Sequence, residues 1–454
     1  MHRNSPLRVA TAGASLLAIL SPACFASGFQ ILEQSASRLG TAFSGTASIA
    51  DDATTAFFNP AGMSRLDQRE FAVVGHMLLI ESEFSDRGSQ AAAGTPLQRP
   101  LPGLEGTTDE PGLTANVYLV QPVSERWTFG LGVSAPFGLV SEYEDGWQGR
   151  YHATESELQV FNINPSVAFE VTEQLSLGFG LNYQYADVTL ENAVDSFSAC
   201  FSAGGPVAAC TAAHGGPANP DADSAVQIEG DDDAVVVDLS LHWQPTDATS
   251  LGLVWRQGAD FNLGGDASFT LSESCAADPF CSGALGMLEG PVRAETELPG
   301  TLTASVSHRV AERWTVHADI ARTGWSSLER VGIVNTEIEQ EVSALDLDYN
   351  DTFRVAGGTT FALNESMTWR FGLAFDEAPQ ENPALVTPRI PDADRVWLST
   401  GFNYRFGPGG SLDVGYAHLF VDDSKIDSTE QGNRLAGRFE SSVDILGLQF
   451  NWNF

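Results

Sequence analysis

Strict alternation of apolar and polar side chains runs through most of the chain. In QLSLGFGLNYQY, Leu175, Leu177, Phe179, Leu181, Tyr183 and Tyr185 fall on one face, and Ser176, Gly178, Gly180, Asn182 and Gln184 on the other. A period of two predicts a strand with one greasy and one polar side. RWTVHADIA sets Trp314, Val316, Ala318 and Ile320 against Thr315, His317 and Asp319. The C-terminus sets Leu446, Leu448, Phe450, Trp452 and Phe454 against Gly447, Gln449, Asn451 and Asn453. A soluble sandwich alternates in the same way, so the connections must decide the class.

VSERWTFGLG, VTEQLSLGFG, PTDATSLGLV, VAERWTVHAD, LNESMTWRFG and GPGGSLDVGY each run a tight polar turn into an alternating strand. They recur at intervals of roughly 50 to 75 residues. From Glu70 onward the pattern predicts fourteen strands, near 70–81, 113–121, 127–138, 155–171, 174–190, 225–244, 249–270, 291–309, 312–323, 351–363, 367–376, 394–406, 410–421 and 442–454. Short turns alternate with long, acidic, Gly/Pro-rich connections. An even strand count with short turns at one end and long loops at the other is the signature of an outer-membrane barrel. The fold class is therefore all-β: a 14-stranded antiparallel transmembrane β-barrel over 70–454, with both ends periplasmic. Trp127, Trp314 and Trp369 follow short turns, where a periplasmic aromatic girdle belongs.

The first residues add an address. Arg3 and Arg8 form a basic start, VATAGASLLAIL an apolar stretch, and Ala26 ends a small-residue cleavage pattern, so 1–26 reads as a signal peptide. Ser21-Pro22-Ala23 before Cys24 is a poor lipoprotein site. After the signal no run of ~18 apolar residues follows, so no transmembrane helix is expected. The chain carries 59 acidic and 23 basic residues, a formal charge of −36, and Lys425 is its single lysine. Nucleic-acid binding is excluded, since it needs a basic surface that displaces phosphate counterions. Acid-rich, lysine-poor surfaces stay solvated in brine, so a saline habitat is expected.

Four cysteines remain after processing. Two short local loops, Cys200 with Cys210 and Cys275 with Cys281, are the expected disulfide pairing in an oxidising compartment. Zinc is the rival reading, weakened because neither pair has the C-x₂₋₄-C spacing of a knuckle. The acidic runs EGDDDA and DLDYND lack the Gly and Glu spacing of a calcium loop and read as solvated charge. No metal and no cofactor are expected.

SGFQILEQSASRLGTAFSGTASIADDATTAFFNPAGM resembles the N-terminus of the FadL-type outer-membrane long-chain fatty-acid transporters, from Gly28-Phe29-Gln30 through Ala50-Asp51-Asp52 to Asn59-Pro60-Ala61. APFGLVSEYEDGWQGRYHATESELQVFNINPSVAFEV resembles the third and fourth strand region of that family. The resemblance implies that 27–69 form an N-terminal hatch (a plug) in the periplasmic end of the lumen. It also implies passive uptake of hydrophobic molecules, with an outer apolar groove, a pocket near the hatch, and lateral exit at an inward kink of the third strand. Phe454 resembles the C-terminal aromatic that the barrel assembly machinery reads.

Several residues could carry that route. Strand 3 holds Pro136-Phe137-Gly138 and strand 4 holds Asn164-Pro165, a place where proline removes ladder donors and glycine permits a bulge. The alternative is that Pro136 marks the outer end of its strand. Within the hatch, Ala36, Leu39, Ala42 and Phe43 have helical spacing, and Asn59 before Pro60 suits a helix start. Phe29 is either a gate against the substrate tail or a packing anchor. Alternation puts Arg256, Arg354, Arg370 and Arg405 on the lumen face, each a match for a carboxylate. By strand direction Arg370 and Arg405 lie low and are expected to dock Asp51 or Asp52. Arg256 and Arg354 lie higher, as candidates for a fatty-acid head group, unless they sit in internal ion pairs.

The sequence thus points to a non-enzymatic outer-membrane channel, expected as a monomer in lipid and lipopolysaccharide, for long-chain fatty acids. Uptake of aromatic hydrocarbons is the rival substrate class, and a general porin the rival channel class. A barrel lipid hydrolase would need Asp238, Ser240 and His242, but residues two apart on a strand stand ~6.5–7 Å apart, too far for a Ser–His hydrogen bond.

Overall fold

The computed structural model describes residues 28–109 and 111–454, so the signal segment 1–26 and Ser27 lie outside it. Fourteen membrane strands follow the hatch: β1 (Glu70–Asp86), β2 (Gly112–Pro122), β3 (Trp127–Glu142), β4 (Glu155–Thr172), β5 (Leu175–Val194) and β6 (Ser224–Thr246). β7 is in two stretches (Thr249–Arg256 and Ala259–Thr270), as is β8 (Gly290–Leu298 and Thr301–Ala311). Then come β9 (Trp314–Thr323), β10 (Thr352–Ala362), β11 (Met367–Asp376), β12 (Arg395–Phe406), β13 (Gly410–Val421) and β14 (Asn433–Asn453). Each pairs antiparallel with its neighbour, and β1 pairs with β14 from Glu70↔Asn453 to Asp86↔Gly437. The sheet therefore closes on itself, as it must in hydrocarbon, where an open strand edge has no water to bind.

The predicted faces are the observed ones. On β5, Leu177, Phe179, Leu181 and Tyr183 are exposed to the outside while Ser176, Asn182 and Gln184 are buried in the lumen. Rings pair across strands at the short-turn end, Trp127 with Phe169 and Trp314 with Phe361. The observed strands overrun several predicted ones. β3 continues to Glu142, β1 to Asp86, and β14 starts at Asn433 instead of 442. Above the bilayer both faces meet water or loop, so alternation fades although the ladder continues. The loops also hold four helices that their Gly/Pro-rich composition conceals: α3 (Ser196–Ser202), α4 (Val207–His214), α5 (Glu273–Ala277) and α6 (Pro279–Leu288), numbered after two in the hatch. Disulfides Cys200–Cys210 and Cys275–Cys281 close them.

Residues 28–69 fill the lumen with little regular structure. α1 (Ala36–Leu39) is a single turn, capped by Ser35, and ends before Ala42 and Phe43, both at positive φ. Phe43 thereby leaves the helical line and meets Trp397 and Phe58. α2 (Thr55–Phe58) is followed by a 3₁₀ turn, Pro60–Arg65, with Pro60 first and the Asn59 side chain accepting from Ala61 N at 3.0 Å. The hatch backbone lies so close to the wall that only glycine fits behind it. A Cβ on Gly252 would stand 1.8 Å from Ala47 O, one on Gly372 2.0 Å from Thr41 C, and one on Gly178 2.2 Å from Ala61 N.

Replacing Gly252 or Gly372 with valine should unseat the hatch and leave the barrel intact. The expected result is an unchanged heat-modifiable mobility on gels with faster proteolysis within 28–69; unchanged proteolysis would remove the seating role.

Candidate functional site

The barrel wall is irregular where β2, β3 and β4 meet. β2 and β3 pair only from Val117↔Val133 to Pro122↔Thr128, and above this β3 has no β2 partner. On its other side the β3–β4 register slips between Ser134 and Phe137. Ala135 and Pro136 thus oppose a single β4 residue, a bulge that a proline tolerates because it has no N–H to leave unpaired.

The hatch supplies what β2 does not. Ile31 N donates to Pro136 O at 2.9 Å and Gly138 N to Phe29 O at 3.0 Å. Gln34 spans the break, its Nε2 donating to Ala135 O at 2.7 Å while Tyr118 Oη donates to its Oε1 at 3.0 Å. Asn116 Nδ2 donates to Glu33 O at 2.9 Å. Pro165 lies lower, opposite Leu131, and its missing N–H interrupts the ladder toward β5 instead.

Cavities flank this seam. Above it, an apolar cavity of about 120 Å³ is lined by Phe29, Leu139, Leu158, Phe261, Ile333 and Arg389 among others. It shares Leu345, Leu347, Thr387 and Arg389 with a larger polar chamber of about 440 Å³ among the outer loops. Below, a cavity of about 80 Å³ lies between hatch and wall, lined by Ile31, Phe58, Pro136, Phe137, Arg256 and Arg354 among others. Between the upper and lower cavities stand three rings. Phe29 meets Trp325 at 4.9 Å and Phe137 at 6.1 Å between centroids. Gly28 precedes them at φ +63°, where a Cβ would lie 2.6 Å from the Trp325 ring.

Arg389 is the charged group at the upper cavity. It is 3% exposed, and its Nη1 donates to Ser156 Oγ at 2.8 Å and to Glu155 O at 2.9 Å, its Nη2 to Asn192 Oδ1 at 3.2 Å. Its Nε has no hydrogen-bond partner among the described residues. Burial pushes this loop guanidinium down to about 10, which leaves it charged at neutral pH. Nearby His152, also buried, is pushed down to about 4 by burial and is neutral.

The predicted arginines are placed differently. Arg256 pairs with Asp238 at 3.0 Å, donates to Phe57 O at 2.8 Å and lies over the Phe57 ring. Arg354 donates to Ala42 O and lies over Trp397. Arg370 meets Asp413 at 2.6 Å, not a hatch aspartate. Asp51 instead pairs with Arg38 at 2.6 Å, within the hatch. Asp52 accepts from Ser37 at 2.8 Å, from Gln449 at 3.0 Å and from Thr54 N at 2.9 Å. Arg405, Arg370, Asp51 and Asp52 do share one polar cavity of about 280 Å³ at the short-turn end. The reason is competition: strand neighbours such as Asp413 and the hatch's own Arg38 reach these charges first.

Asp238, Ser240 and His242 each serve the hatch. Asp238 holds Arg256, Ser240 accepts from Ala61 N at 3.0 Å, and His242 Nε2 meets Ser48 O at 3.1 Å. Arg389, Trp325 and Asp392 escaped the sequence reading. Arg389 had a faint signal, a lone arginine held between Pro388 and Pro391 in a long loop.

A family model described as outer membrane protein transport protein (OMPP1/FadL/TodX) matches residues 17–454. Outer membrane protein P1 of Haemophilus influenzae is 30% identical over 87% of this chain and 86% of its own length. The long-chain fatty acid transport protein of Escherichia coli O6:H1 is 27% identical over 96% of this chain and 97% of its own. Among solved structures, a Pseudomonas aeruginosa FadL homologue aligns with a TM-score of 0.84 at 22% identity, covering 94% of this chain and 100% of that one. The Pseudomonas putida toluene transporter TodX aligns at 0.68 and 18% identity, covering 94% and 99%.

The start of the hatch is pinned by a titratable group. Gly28 N donates to Asp392 Oδ2 at 2.7 Å, and Arg395 holds the other oxygen. Burial raises the Asp392 carboxyl to about 6 against the pull of Arg395. A raised carboxyl binds its proton more tightly in the packed loop than in the open one, so packing is favoured at low pH and loses stability as pH climbs through 6. Hydrogen exchange at residues 28–31, corrected for intrinsic rate, should therefore be slower at pH 5 than at pH 7, and Asp392→Asn should abolish the difference.

Proposed function

The chain belongs to the outer-membrane transport protein family OMPP1/FadL/TodX, and from that membership we propose that its own cargo is a long-chain fatty acid. Proteins of this family are outer-membrane barrels that transport hydrophobic compounds, and are not enzymes. The observation that carries the finer reading is Arg389, a buried cation on the wall shared by an apolar cavity and a polar chamber. The first offers an apolar wall to part of an acyl chain, and the Arg389 guanidinium at the boundary is a match for its carboxylate.

From there the tail points at Phe29. Passage past Phe29, Phe137 and Trp325 leads to the lower cavity, where Arg256 and Arg354 offer a second contact for the head group. The break between β2 and β3 is then the sideways exit, opened when Phe29–Ile31 release the Pro136–Gly138 edge. This step needs only a few backbone hydrogen bonds to exchange, each worth about 0.5–1.5 kcal/mol net, so thermal motion suffices and no energy source is required.

A neutral hydrocarbon would use the same apolar cavity and ignore the arginine. Arg389→Leu keeps the bulk and removes the charge; loss of a charge-assisted bond of about 1.5–3 kcal/mol should weaken oleate binding and uptake roughly ten- to hundredfold and leave toluene uptake unchanged. Equal loss for both substrates would overturn the fatty-acid reading. Pro136→Val with Gly138→Val should let β3 straighten toward β2 and abolish uptake while the barrel still folds; unchanged uptake excludes this exit. A steady, large single-channel conductance in planar bilayers would instead identify an open porin.

A further inference from the structure

One buried cluster lies apart from the transport route, where the outer loop between β5 and β6 meets the loop between β7 and β8. Cys200 on α3 is bonded to Cys210 on α4, and His214 closes α4 one turn further on. Asp278 caps α6 from the other loop. Single ligand atoms of Cys200, His214 and Asp278 all lie within 4.8 Å of one another. Three donors of zinc-binding type thus converge, and the Cys210 sulfur, bonded to that of Cys200, stands beside them as a fourth that side-chain rotation would have to bring in. All four residues are buried, with Asp278 the most exposed at 9%. His214 Nε2 meets Asp278 Oδ2 at 2.9 Å, and Nδ1 meets Ser274 Oγ at 3.1 Å.

We propose that, when the Cys200–Cys210 bond is reduced, these residues form a zinc site. The ligands are the two thiolate sulfurs, His214 Nε2 and one Asp278 oxygen, with Ser274 orienting the imidazole through Nδ1–H. Such outer-sphere hydrogen bonding is the usual arrangement for a metal-bound histidine. The reductant is a dithiol or two monothiols from the medium. It supplies two electrons and two protons, its own sulfurs join as a disulfide, and the protein S–S bond becomes two thiols. Zinc then displaces both thiol protons and the hydrogen shared between Nε2 and the Asp278 carboxylate, which leaves the imidazole hydrogen on Nδ1, facing Ser274.

The geometry asks for little movement. Zinc–sulfur bonds of about 2.3 Å in a tetrahedron place two sulfurs about 3.7 Å apart, so the cysteines must separate by side-chain rotation while His214 and Asp278 remain. Gly205 lies against the pair, and a Cβ there would fall 2.7 Å from each sulfur. The glycine leaves room that any other residue would fill. The spacing C-x₉-C-x₃-H, with its aspartate in a different loop, matches no short zinc motif, which is why the linear sequence conceals it. Zinc would replace the local cross-link of one loop with a clamp between two.

Cobalt(II) and zinc titrations of the full-length protein in detergent test this, before and after reduction with a trialkylphosphine. The expected result is one cobalt per reduced chain, with a thiolate-to-cobalt charge-transfer band and tetrahedral ligand-field bands that zinc removes, and no such bands in the oxidised protein. Cys200→Ser with Cys210→Ser should abolish the signal, and His214→Ala or Asp278→Asn should weaken binding more than roughly tenfold. Heat-modifiable mobility reports the folded barrel in each case, and His214→Gln substitutes if the alanine variant loses it. No thiolate band after reduction overturns the site. So does a band that survives the paired serine variant, or one whose affinity ignores both His214 and Asp278.

Discussion

A backbone amide with no partner in hydrocarbon costs several kcal/mol, and the architecture follows from meeting that demand at every strand. Thirteen neighbour pairings and the β1–β14 closure meet it with strand against strand. The upper part of β3 lacks its β2 partner, and there the hatch contributes Phe29 and Ile31 backbone groups together with the side chain of Gln34. This gap in the wall is therefore bridged by a segment that is not part of the wall. That segment can exchange its partners for water without opening the barrel elsewhere.

The same segment explains why a polar lumen can serve an apolar cargo. Inward-facing positions are mostly small or polar, and the hatch occupies them through wall glycines and through Asp319, Ser305 and Ser307, which bind Thr46, Ala47 and Ser48. Apolar surface is instead concentrated above it, around Leu139, Leu158, Phe261 and Ile333, where the strands have left the bilayer and their inner faces turn greasy. That apolar cavity ends at Phe29, and the hatch lies beneath it.

Charge divides the molecule as well. The acidic excess lies in the outer loops and strand ends, as in the run Asp231–Asp233 on β6. At physiological ionic strength such a field is screened within about 8 Å, so a charge well below the loop surface is governed by its immediate neighbours. Arg389 is set in that protected zone, held by Ser156 and Asn192.

Strand number, inner and outer faces and the short-turn end were legible in the sequence, because period-two burial and turn composition are local properties that each strand expresses by itself, whereas the hatch was expected only from the resemblance. The family resemblance followed from two stretches, residues 27–63 and 135–171. The site was legible in part: Phe29, Pro136 and Gly138 stand at the seam, because proline and glycine advertise a ladder defect wherever they occur. Partners were not legible. Asp51 lies with Arg38 and Arg370 with Asp413, because an ion pair goes to whichever opposite charge the closed barrel brings nearest, and alternation gives only the face. Arg389 reaches the apolar cavity, and His214 reaches Asp278, only because loops distant in sequence fold over the same mouth. That convergence is set by barrel closure and loop packing, interactions between distant residues that no local pattern in the chain records.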